Sequence, residues 1–103
     1  MDLIGNLTAL LARGQDTALV RFGLGQALLG ADRPREAAEH LRQALAHDTH
    51  YSAAWKLYGK ALAQNGDIEG AIRAYETGIR IAEERGDKQA AREMQVFLKR
   101  LQG

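Results

Sequence analysis

The sequence predicts an all-α fold: a short α-α superhelix, or solenoid, of about six helices in antiparallel pairs. Three observations carry that expectation. Gly25 and Gly59, Leu28 and Leu62, Ala37 and Ala71, and Leu41 and Tyr75 are each 34 residues apart, and a fixed period of that length marks a stacked helix-turn-helix array. Within each unit the apolar residues recur at helical spacing. No run alternates apolar and polar residues as a half-buried strand would.

The elements follow in order. Leu3, Leu7, Leu10 and Leu11 fall on one face of a first helix over residues 2–13, and Gly14 ends it. Asp16 or Thr17 caps a second helix that runs to Gly30. Asp32-Arg33-Pro34 starts a third, with Pro34 in the first turn where its missing N–H costs nothing. It fades near His47-Asp48. A fourth helix covers Tyr51 to Gln64, and Asn65-Gly66-Asp67 makes a turn. Asp67 caps the fifth helix, which continues to Arg85 before Gly86. Asp87 caps the last, over residues 87–102. The chain is thus one domain, 1–103: a half-unit at 2–13, units at 17–48 and 51–85, and a capping helix.

The small residues suggest how these helices meet. A glycine inside a helix costs about 1 kcal/mol against alanine, yet Gly25 and Gly59 occupy the same place in both units. Such a position predicts close approach of the paired helix, with Ala37 and Ala71 as the matching small surface and Leu28, Leu41, Leu62 and Tyr75 around it.

The stretch from Trp55 through Ala82 resembles a tetratricopeptide repeat. Trp55, Tyr58, Gly59, Leu62, Ala71 and Tyr75 stand where that family expects such residues. The first unit is a weaker copy with Arg21 in the Trp place, and Thr49 and Glu83 replace the family's proline. Residues 3–11 resemble a second helix without its partner. The whole layout is similar to small stand-alone bacterial tetratricopeptide proteins. The last helix departs: Ala90, Met94 and Phe97 align with Trp55, Gly59 and Leu62 only at an offset of 35. Met94 in the glycine place is expected to block a further helix, so 87–102 reads as a cap that closes the stack.

The resemblance implies a protein-binding module that holds an extended or helical peptide on a concave surface lined by the first helix of each pair. The inward positions would be Phe22, Gln26 and Leu29, then Lys56, Lys60 and Ala63, with Lys88, Arg92, Gln95 and Lys99 from the capping helix. Lys56 and Lys60 are one turn apart and should project together. Acids fall mostly on the second helices, as Glu36, Glu39, Glu69 and Glu76, so a basic groove selecting an acidic partner is compatible with a net charge of +1. Lys88-x-x-x-Arg92 resembles one element of the carboxylate-clamp subfamily, but Phe22, Gln26 and Leu57 stand where its other residues belong. Self-association through Phe22, Leu29 or Leu98 is the alternative.

Other chemistries have little support. With no Cys, disulfides, thiolate metal sites and Cys nucleophiles are excluded together. His40, His47 and His50 do not form a converging ligand set: His40 should point outward and His47 should sit in a last turn, where a cation suits the dipole. No cofactor or metal is expected. No phosphate-binding loop or catalytic triad pattern appears, so the chain is expected not to be an enzyme. Lys88, Arg92, Lys99 and Arg100 are diluted by Asp87 and Glu93, which argues against nucleic acid. The acidic, glycine-broken start is expected to be neither signal peptide nor membrane span, and cytoplasmic residence is the expectation.

Overall fold

The computed structural model describes residues 2–103 and contains six α-helices, with no strand among the described residues. They are α1 (Leu3–Ala12), α2 (Ala18–Gly30), α3 (Pro34–His47), α4 (Ser52–Gln64), α5 (Ile68–Arg85) and α6 (Lys88–Gln102). Each helix packs on its sequence neighbours, and α4 also touches α2 and α6. The stack is elongated, 40 × 28 × 20 Å.

Local chemistry explains the boundaries. Asp2, Thr17, Asp67 and Asp87 cap helix starts, accepting from the amides of Ile4, Val20, Gly70 and Ala90 at 3.1, 3.1, 2.9 and 3.2 Å. Thr17 therefore takes the cap that Asp16 could have supplied. Gly14, Gly66 and Gly86 have positive φ at the turns, as glycine permits. Asp32 also adopts φ +59°, a conformation open to Asp. Neither unit has a terminal proline, and α5 uses that freedom, running to Arg85 through Glu83.

The core is built on the paired glycines. A Cβ on Gly25 would overlap Leu41, and one on Gly59 would overlap the Tyr75 ring. Leu24, Leu28, Ala37 and Leu41 form one buried cluster; Ala71, Tyr75, Ala82, Ala90 and Met94 form another. Ala44, Leu45 and Ala54 join α3 to α4 between them. Trp55 Nε1 donates to the Thr49 carbonyl at 2.8 Å, tying α4 to the turn before it.

Two expectations are corrected. Met94 does not stand in the way of a further helix: it is fully buried, its sulfur pressed toward Gly78 of α5. The slipped register has rolled α6 so that Ala90, Ala91 and Met94 face inward. His40 does not point outward either. It is half-buried, with Nδ1 3.0 Å from Arg21 Nη1 of α2.

Candidate functional site

Between α2 and α4 lies a hollow of about 290 Å³ lined by Gln26, Leu29, Gly30, Leu57, Lys60 and Gln64. Leu29 and Leu57 are half-buried and form an apolar floor, while Gln26, Lys60 and Gln64 are exposed at its edges. The glutamine carboxamides each carry donor and acceptor, and the ammonium carries three donors.

The other expected groove residues lie elsewhere. Phe22 stacks on Tyr51 with ring centroids 4.8 Å apart. Lys56 does not project with Lys60: its Nζ is 3.3 Å from Glu93 Oε1 of α6, an ion pair across the stack. The hollow therefore has one cation rather than two. Ala63 packs against the cluster that α6 forms with α5. Lys88, Arg92 and Gln95 surround a second hollow of about 400 Å³ with Ala91 and Glu83. At roughly 100° per residue, these three and Lys99 lie about 100–160° round α6 from Glu93. Since Glu93 faces α4, this flank faces away from the first hollow.

The three residues proposed for self-association, Phe22, Leu29 and Leu98, are all half-buried. Among the described residues, the large apolar ones that are exposed, Leu3, Leu19, Ile68 and Val96, sit on four different helices.

A polar cluster occupies the Trp place of the first unit. Arg21 grips Asp16 through Nε and Nη2 at 2.8 and 2.9 Å, and His47 Nε2 lies 2.9 Å from the same carboxylate. Hydrogen bonds from Arg21 and His47 hold the Asp16 carboxyl well below the usual carboxylate range. A guanidinium has no acceptor, so His40 Nδ1 must accept from Arg21 and the ring is neutral. Burial, then the Arg21 charge, keeps its pKa below the ordinary 6.5. No group of three or more His, Cys, Asp or Glu is arranged to hold a metal among the described residues. Likewise, no helix there is long and apolar enough to cross a membrane.

The tetratricopeptide repeat family model matches residues 28–94 of this chain. The TPR repeat-containing protein PA0015 of Pseudomonas aeruginosa is 50% identical over 99 residues, covering 96% of this chain and 94% of that protein. The chain belongs to the tetratricopeptide repeat family. The solution structure of BPP2914 from Bordetella parapertussis is 44% identical, with a TM-score of 0.86 over 98% of this chain and 88% of that one. The crystal structure of MamA protein gives 26% identity and a TM-score of 0.74, covering 95% of this chain and 56% of its own. The Sgt2 TPR domain from Aspergillus fumigatus, at 24% identity and a TM-score of 0.74, shares the fold; it is matched over 93% of this chain and 66% of its own.

Tetratricopeptide repeat folds generally mediate protein–protein interaction. In this chain the equivalents of Trp55 and Gly59 are Arg21 and Gly25, so the first repeat keeps the close helix contact but fills the Trp place with charge. Gln64, which also lines the hollow, was not among the residues expected there, and Leu57 was expected only as the occupant of a clamp place. The signal was present: α4 must offer one side to α2 and another to α6.

Proposed function

We propose that the chain is an adaptor whose α2/α4 groove receives a peptide segment of a partner protein. One observation carries this reading: Leu29 and Leu57 form an apolar floor between the carboxamides of Gln26 and Gln64 and the ammonium of Lys60. The floor suits one apolar side chain. The carboxamides suit the amides and carbonyls of an extended backbone, and Lys60 suits an adjacent carboxylate. The partner segment is thus apolar with a neighbouring acid. Lys56, already paired with Glu93, takes no direct part.

A photo-crosslinking residue at Gln26, introduced into the protein in its native cell, tests this. A discrete crosslinked partner is expected, lost on Lys60→Glu and absent when the crosslinker is moved to the outer face at Glu76. Equal crosslinking from Gln26 and Glu76, or none from Gln26, would overturn the groove assignment.

A further inference from the structure

We infer that the outer flank of α6 is a second docking surface, separate from the groove, and that its occupant is an acidic helix of a partner protein. The argument begins with the charges of α6: Lys88, Arg92, Glu93, Lys99 and Arg100. Glu93 is the only acid among them, and Lys56 draws it toward α4 at 3.3 Å. What remains outside is a stripe of Lys88, Arg92, Gln95 and Lys99, all exposed. Among the described residues none of its three cations lies in an ion pair.

The place in the stack selects a helix over an extended chain: α6 packs on α5 and α4 alone, and its free flank is where a further helix of the array would seat. The stripe steps by four, three and four residues, the interval at which one helix meets another along a shared seam. In an ordinary helix pair those positions are apolar; here they are cationic with one carboxamide. The matching surface is a helix bearing Glu or Asp at the same intervals. Ala91 forms an apolar wall of the hollow of about 400 Å³ beside Lys88, Arg92 and Gln95, which admits a small side chain between the charges. Exposed Val96 adds an apolar edge next to the stripe. Glu83, at the α5 side of the hollow, discourages acids there and so favours seating along α6 rather than across to α5. The stripe also lies at the open end of the stack, where an added helix meets no obstruction from α4.

The test uses the whole chain and a synthetic 21-residue alanine-based helix with glutamates at alternating four- and three-residue intervals, and a control of identical composition with the glutamates shuffled. Binding is followed by fluorescence anisotropy at low salt. The patterned peptide should bind about tenfold or more tightly than the shuffled one, and Arg92→Glu with Lys99→Glu should remove about that factor. Circular dichroism confirms that the double variant stays folded; Gln95→Glu provides a milder second variant that should weaken binding in the same direction. Arg35→Glu, the same charge change on α3, which does not touch α6, should leave the affinity unchanged, which separates this surface from general charge attraction. Equal affinity for the two peptides, loss of binding on Arg35→Glu, or tighter binding of phosphatidylserine vesicles or duplex DNA than of the patterned peptide would each overturn the inference.

Discussion

Three carbons of the Tyr75 ring lie within 2.8 Å of the point a Cβ on Gly59 would occupy. The two helices of the second unit can approach this closely only because that atom is missing. The ring is also held from behind, its centroid 5.8 Å from that of Phe97 on α6. One glycine thus sets the spacing of three helices.

Gly59→Ala should destabilise the protein by up to about 2 kcal/mol in urea unfolding, an overpacking cost of about 1–3 kcal/mol reduced by about 1 kcal/mol of helix propensity. Gly25→Ala should cost less, because Leu41 can change rotamer more easily than the Tyr75 ring can tilt. Gly30 has open space within 4 Å and no positive φ. Gly30→Ala should therefore stabilise, by about 0.5–1 kcal/mol.

Met94→Ala should cost about 2–5 kcal/mol, because a fully buried side chain leaves a cavity. It should not rescue Gly78→Ala. Trp55 Cβ would still lie 2.7 Å from the new methyl, and that atom is fixed to the α4 backbone. Urea midpoints of the two single variants and the double variant decide this.

Stability should fall on mild acidification because of His40. The groups facing it are Arg21 from α2, Asp16 from the α1–α2 turn, and Glu36 and Glu39 from its own helix. Its folded pKa is below the ordinary 6.5, so its contribution is present above 6.5 and is lost as pH falls from there toward the folded value. The melting temperature should drop as pH falls below 6.5, and His40→Gln, which can still accept from Arg21, should flatten that drop. An NMR titration placing His40 above 6.5 would contradict the geometry.

The alkaline side is governed by Tyr75, whose hydroxyl burial pushes up to about 12 from the ordinary 10.0. Its contribution is complete below pH 10 and disappears as pH rises toward 12. Tyr75→Phe should move the alkaline unfolding midpoint upward, and absorbance at 295 nm should show one fewer late-titrating tyrosine.

Much of this fold was legible in the sequence because glycine, proline and the capping residues act locally. Gly25 and Gly59 announced the close helix contacts, and Asp67, Gly86 and Asp87 marked helix ends that the structure reproduces. The groove was less legible, for a geometric reason. A repeat makes positions 34 apart equivalent, so Phe22, Gln26 and Leu29 suggested Lys56, Lys60 and Ala63. A groove between neighbouring helices is lined instead by the forward side of one and the backward side of the next. Gln26, Leu29 and Gly30 thus oppose Leu57, Lys60 and Gln64. The forward positions Phe22 and Lys56 reach onward instead, to Tyr51 and Glu93. The roll of α6 was also hidden: a one-residue slip in alignment does not say which face turns inward, and packing against Gly78 decided it.

No residue of α1 is buried, whereas α5 buries six. In a stack where each helix is held mainly by its neighbours, that imbalance gives the molecule a mechanical polarity. A pull on the two ends of the chain would peel α1 away first, at low force, and leave the α4–α5–α6 block to rupture last.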